Sequence, residues 1–201
     1  VTVLPDEIWV GDEYAEALAI EIFPEVRITL RPNPYFDDIK KSLKNDDEKR
    51  TRDNHCRSPN TVLYVCEPIR EHALLTHGDE RYWGYTEEEA LEFFLNHIDA
   101  LNSAVSQVTI RPHPSEDSDK YNWVKIKYPL VIQTKSTKTL TQQIVEADVV
   151  VGCESMALVV GLMAGKRVIS SIPAGGKKCG LPHEKIEHLQ KMVSQIGNSI
   201  D

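Results

Sequence analysis

The stretch "TLTQQIVEADVVVGCESMALVVGLMAGKRVISSIP", residues 139–173, decides the fold. Its first part, "TLTQQIVEA", reads as a helix with Thr139 as its cap, and "DVVVGCES" as a strand. "MALVVGLMAGK" is a helix whose Ala157, Gly161 and Ala164 permit close approach to a neighbour, and "RVISSIP" is a second strand. The strands are near-continuous apolar runs rather than alternating ones. A strand apolar on both faces must be covered on both faces, so helix–strand alternation of this kind predicts a parallel sheet between two helical layers.

The same pattern extends outward. Upstream lie the strand "TVLYVCEP" (61–68), a long connection, and the helix "TEEEALEFFLNHIDALNSA" (86–104). In that helix Thr86 and Glu89 form a capping box, and Ala90, Leu91, Phe94, Leu95, Ile98 and Leu101 form the apolar stripe. The strand "SQVTIRPHP" (106–114), a short helix in "SDKYNWVKIKY" (118–128) and the strand "PLVIQTKS" (129–136) follow. Downstream, "PHEKIEHLQKMVSQIG" (182–197) is predicted to be a single amphipathic helix. At the other end, "DEIWVGD" (6–12) and "EVRITLRPNP" (25–34) read as strands flanking the helix "EYAEALAIEIF" (13–23), with Ala15, Leu18, Ala19 and Ile22 on one face. "YFDDIKKSLK" (35–44) reads as a helical turn or two, and the polar, aperiodic "KNDDEKRTRDNHCRSPN" (44–60) as a linker or mobile loop.

Bulk properties narrow the function. Of 201 residues, 41% are apolar and 27% charged, as in soluble globular proteins. A net charge of -8 disfavours nucleic acid as a partner, because phosphates need a basic face. The longest apolar stretch, Val149 to Ala164, is interrupted by Gly152, Glu154 and Gly161, so no bilayer-spanning segment is predicted. No secretory signal is recognised, and a cytoplasmic location is expected. Cys56, Cys66, Cys153 and Cys179 lack metal-ligand spacing and read as free thiols; neither a metal nor a cofactor is expected. The chain enters directly into strand-like pattern without an initiator methionine, which suggests a piece of a longer protein.

In parallel α/β sheets ligands bind beyond the carboxyl ends of the strands, so those exits are where chemistry is sought. They carry Glu67, the run from Arg111 to Glu116, Thr134 to Thr137, Cys153 to Met156, and Ser170 to Gly176. Gly152-Cys153-Glu154-Ser155 leads into the helix beginning at Met156. Its amides and the positive helix end suit an anion, with Ser155 adding a donor; alternatively Ser155 is only the helix cap. Glu154 is unwelcome beside a phosphate and is expected to turn toward sugar hydroxyls or a base. His113 sits between Pro112 and Pro114 and is held extended. Its imidazole either donates to a phosphate or merely completes a rigid strand exit. Arg111 either joins it or points to the helix layer and pairs with an acid there. Thr134, Ser136 and Thr137 line the same rim or form a solvated loop. "SSIPAGGKKCG" (170–180) is glycine-rich but matches no phosphate-loop spacing.

An "HP" pair at one strand exit, followed some forty residues later by a strand–"GCES"–small-residue helix–"GKRVI" unit, resembles the C-terminal half of GT-B glycosyltransferases. The likeness is greatest to bacterial enzymes using CMP- or CDP-activated donors: sialyltransferases, polysialyltransferases, capsule Kdo transferases and glycerophosphotransferases. It covers residues 61–173 well and 4–38 loosely. The resemblance implies a Rossmann-like donor-binding domain at 61–201, a remnant of the preceding N-terminal Rossmann-like domain at 1–41, and a linker or mobile loop at 42–60.

It further implies that His113, Ser155 and Met156 bind the donor phosphate, with Arg111, Glu154, Thr134, Ser136 and Thr137 as secondary contacts. The donor would be CMP-, CDP- or UDP-linked and the acceptor a surface polysaccharide. The acceptor-side base belongs to the N-terminal half of such enzymes, so this portion is expected to bind nucleotide without turnover. Peripheral membrane association through the full-length protein is compatible with that role. Glu154 departs from the serine usual in sialyltransferases. Two alternatives share the fold: a nucleotide-sugar 2-epimerase, and a non-catalytic nucleotide- or protein-binding module.

Overall fold

The computed structural model describes residues 3–52, 60–117, 119–133 and 137–197. The chain divides into two compact units, residues 1–44 and 45–201. In the first, strands β1 (Glu7–Val10) and β2 (Arg27–Leu30) pair in parallel, with Glu7 opposite Arg27 and Val10 opposite Leu30. Helix α1 (Glu13–Ile22) makes the crossover, and Asp12 caps it by accepting the Ala15 N–H at 2.8 Å. Of the apolar face predicted for α1, Ala19 is buried whereas Leu18 and Ile22 are exposed.

Helix α2 (Pro34–Arg52) runs on through residues 42–52, which the sequence predicts to be linker or loop. An exposed helix needs no apolar stripe when charge pairs lace its surface. Lys41–Asp38, Arg50–Asp47 and Arg52–Glu48 do so at 3.1, 3.6 and 3.6 Å, and no proline or glycine interrupts the run. The remainder of the predicted linker, residues 53–59, lies outside the described residues.

The second unit is a six-stranded sheet, parallel throughout, with helices on both faces. Its elements are β3 (Thr61–Val65), α3 (Ile69–His77), α4 (Glu87–Asn96), a 3-10 turn (Ile98–Leu101), β4 (Gln107–Arg111), α5 (Asn122–Lys127) and β5 (Val131–Gln133). Then come α6 (Leu140–Glu146), β6 (Val149–Gly152), α7 (Met156–Met163), β7 (Arg167–Ser170), β8 (Ile186–His188) and α8 (Leu189–Gly197). Spatial order is β5-β4-β3-β6-β7-β8. Counted within this unit the order is 3-2-1-4-5-6, the Rossmann arrangement, and the strand order reverses between β3 and β6. The predicted Rossmann-like class is therefore the observed one.

Alternation along the strands supplies two cores. Val62, Tyr64, Val108, Ile110, Val149, Val151 and Ile169 face Leu91, Phe94, Leu101, Tyr121, Val124 and Leu189 of one helical layer. The intervening residues Val150 and Val168 meet α7 on the other face. A Cβ built on Gly161 would lie 3.1 Å from Val168 Cγ2 and 3.2 Å from Val150 Cβ, so a larger residue would have to push these side chains aside. The capping box predicted at Thr86–Glu89 forms, and Thr139, predicted as a cap, forms a second one with Gln142.

Two elements differ from expectation. Ile69–His77, predicted as connection, is helical, although it buries only Ile69 and Ala73. Ile186–His188, predicted as the start of the last helix, is the sixth strand. Tertiary pairing overrides its local pattern: Glu187 takes Arg167 in a bidentate ion pair at 2.8 Å for each contact, and Ile186 is buried. Among the described residues no helix is long and apolar enough to cross a membrane.

Candidate functional site

A cleft of about 530 Å³ opens at the carboxyl end of the six-stranded sheet, where the strand order reverses. Glu67, Pro68 and Ile69 enter it from the end of β3, His113 from β4, Glu154 and Ser155 from β6, and Lys177 from the loop after β7. His72, Trp83 and Tyr85 supply an aromatic wall.

The floor is the turn Gly152–Ser155. Its carbonyls are held from beneath: Ser171 Oγ donates to Gly152 O at 3.1 Å and Ser170 Oγ to Cys153 O at 2.7 Å, both serines being buried. Its amides are held from the side. Cys153 N–H and Glu154 N–H both donate to Glu67 Oε1, at 2.8 and 2.9 Å. Glu67 thus places a carboxylate in the anion position that the sequence assigns to a ligand. Burial raises the Glu67 carboxyl above its ordinary value, and these backbone donors oppose the rise. Gly152 leaves room for this packing, since a Cβ would stand 3.1 Å from Val65 O.

Ser155 is the helix cap: its Oγ accepts the Ala157 N–H at 3.1 Å. A hydroxyl that accepts retains its own proton, so Ser155 still offers an O–H to the cleft. The capping and ligand readings are compatible. The next amide, Met156 N–H, is at the first helical position and has no intrahelical acceptor.

His113 is exposed and mounted by its own loop. Ser115 N–H donates to His113 Nδ1 at 3.2 Å and Ser115 Oγ lies 2.7 Å from it. The His113 backbone N–H donates to Glu116 Oε2 at 2.9 Å, and Glu116 N–H returns to His113 O at 2.9 Å.

The rim across the cleft is built by glycine contacts. Gly84, at φ 81°, would with a Cβ meet Gly175 O at 2.6 Å, and a Cβ on Gly176 would meet Tyr85 Cδ1 at 2.7 Å. Lys177 N–H donates to Trp83 O at 2.8 Å, which ties the ammonium-bearing residue to the aromatic wall. Burial raises the Tyr85 hydroxyl and the Cys153 thiol, so both stay neutral.

The cleft therefore brings together His113, Ser155 and Glu154. It does not include Arg111, whose Nη1 reaches Lys138 O at 3.1 Å and also Gln143 Oε1, at the start of α6. Thr137 is exposed and outside the lining, as is the Met156 side chain. Thr134 and Ser136 lie outside the described residues. Trp83, Tyr85, His72 and Lys177 are not predicted as site residues; the sole signal for Lys177 is its place in the glycine-rich segment after β7. Among the described residues no group of three or more His, Cys, Asp or Glu is arranged to hold a metal ion.

Neither a protein-family model nor a curated protein sequence matches this chain. Two solved structures are similar in backbone, both of KpsC from Thermosulfurimonas dismutans. The beta Kdo 2,7 transferase is 15% identical, with 78% of this chain and 51% of that chain covered and a TM-score of 0.44. The beta Kdo 2,4 transferase is 13% identical, with 79% and 50% covered and a TM-score of 0.44. This chain thus spans about half the length of the solved structures it resembles.

Proposed function

We propose that residues 61–201 form the nucleotide-sugar donor-binding half of a GT-B-type glycosyltransferase, one that transfers a sugar or sugar-like group to a surface polysaccharide. One observation carries the reading: His113, leaving β4, and Ser155, leaving β6, line a single cleft at the point where the sheet order reverses. A leaving nucleotide phosphate gains negative charge as the glycosidic bond breaks, and pre-aimed donors stabilise that charge without reorganising. The His113 imidazole, the Ser155 hydroxyl, the Met156 amide and the Lys177 ammonium would be those donors. The aromatic wall then flanks a ring of the ligand. Glu154 turns its carboxylate to sugar or base, and the acceptor-side base lies in the other half of such an enzyme.

The test is a calorimetric titration of the chain with CMP, CDP and UDP, repeated on His113→Ala and Ser155→Ala. Losing one hydrogen bond to a charged phosphate costs about 1.5–3 kcal/mol, so each variant should bind about 10–100-fold more weakly. Variants that bind as tightly as the parent overturn the assignment. A second reading, a non-catalytic module of the same fold, draws on the carboxylate of Glu67 filling two of the turn amides. It predicts a folded chain with no affinity for any of the three nucleotides.

A further inference from the structure

The loop that carries His113 rests on a buried charge chain that a strand exit does not itself require. The Glu116 side chain is only 2% exposed. One oxygen accepts the His113 backbone N–H at 2.9 Å; the other accepts Lys120 Nζ and Tyr121 OH, each at 2.8 Å. Lys120 also pairs with Glu87 Oε1, and the Glu87 side chain is 3% exposed. Glu87 Oε2 in turn accepts the Arg70 N–H at 2.9 Å, in the first turn of α3. Two buried carboxylates thus share one lysine. Burying such a set is costly, and an ordinary Asx turn at the surface would close the loop without it.

The chain ends on the amide of the one histidine whose ring enters the cleft from β4. Beside it, Ser115 N–H reaches His113 Nδ1, and a backbone amide can only donate. Nδ1 must therefore be the acceptor, which leaves the proton of a neutral imidazole on Nε2. Glu67, Glu154, Lys177 and His72 line the same cleft, and Glu116 and Lys120 underlie the loop.

We propose that Glu116 is a positioning residue for His113: with Ser115 it keeps Nδ1 as the acceptor and presents Nε2–H to the cleft. The ligand side of this inference rests on the donor-site reading above, while the positioning itself does not.

The experiment is a long-range proton–nitrogen correlation at pH 8 on the labelled chain, on Glu116→Gln and on Glu116→Ala, with a CMP titration of each. The parent should show His113 as a single Nε2–H tautomer. Glu116→Ala should mix the tautomers and weaken CMP about tenfold. Glu116→Gln retains an oxygen for the His113 amide and should fall between, which keeps the test alive if the alanine variant fails to fold. A parent in the Nδ1–H or mixed form overturns the proposal, as do variants matching the parent in both tautomer and affinity. A parent with a locked, Glu116-dependent tautomer that binds neither CMP here nor CDP or UDP in the calorimetric titration supports the positioning and overturns the donor-site reading.

Discussion

Replacing Glu67 with alanine tests how the site is held together. Both turn amides donate to one atom, Glu67 Oε1, at 2.8 and 2.9 Å. Removal strands two N–H groups, at about 1–3 kcal/mol each when buried, and relieves the penalty of a buried carboxyl. The net expectation is a loss of about 3 kcal/mol. With a urea dependence of about 2 kcal/mol per molar, the midpoint should fall by about 1.5 M. Glu67→Gln keeps a carbonyl oxygen where both amides point and should stay within about 1 kcal/mol of the parent.

Alanine also leaves the turn as an open anion position. Inorganic phosphate at tenfold over its Kd should then return about 1.4 kcal/mol to Glu67→Ala and less to the parent, with chloride at equal ionic strength returning nothing. Equal midpoints for Glu67→Ala and the parent, or equal phosphate gains in both, would refute the claim that Glu67 fills the anion position.

Gly176→Ala should displace the rim that carries Lys177, since its Cβ would lie 2.7 Å from Tyr85 Cδ1 and 2.8 Å from Ile172 Cγ2. Nucleotide affinity measured by calorimetry should drop several-fold with only a modest change in melting temperature. Gly161→Val pushes methyl groups into Val150 and Val168, already 3.1–3.3 Å from the built Cβ; urea unfolding should register a loss of about 1–3 kcal/mol. Glu67 also sets a pH dependence. Its folded value lies above the unfolded 4.5, so the folded state binds the proton more readily and its ionisation costs stability. As pH rises from 4.5 through the raised folded value, the parent should lose stability relative to Glu67→Gln, read as diverging urea midpoints; a gap that stays constant across that window contradicts the shift.

The strand–helix alternation of the second unit was legible from residues 139–173 because each strand there is an apolar run and each helix carries its own cap. Thr86 and Thr139 announce their helices by side chain alone. α3 gave no such signal: no side chain caps Pro68, and two buried residues make no stripe. β8 is three residues long and owes its state to Arg167 and to pairing with β7. The helical run of 44–52 was hidden because it carries no apolar stripe: Arg50–Asp47 and Arg52–Glu48 pair along it, and Arg50 Nη1 donates to Val145 O at 2.7 Å.

The meeting of His113 and Ser155 at one cleft was legible because both stand at the carboxyl ends of strands in a parallel sheet. Trp83, Tyr85 and Lys177 were not. They reach the cleft only because Gly84 meets Gly175 across some ninety residues of sequence, a contact that no local pattern encodes. Glu67 stood at a strand exit in the sequence, but its capture of the Cys153 and Glu154 amides depends on β3 lying beside β6. Arg111 turns toward the helix layer, where it meets the Gln143 side-chain carbonyl and Lys138 O rather than an acid.

The central claim is that one nucleotide phosphate touches both His113 and Ser155. Amide and imidazole resonances of the nitrogen-labelled chain, followed while CMP, CDP or UDP is added, test it most directly. Saturable shifts are expected for the His113 ring and for the Ser155 and Met156 amides with at least one nucleotide, with the same titration curve at all three and a Ser155 curve moved to about 10–100-fold higher ligand in His113→Ala. Shifts confined to residues outside the cleft, or a Ser155 titration that His113→Ala leaves unmoved, would contradict it.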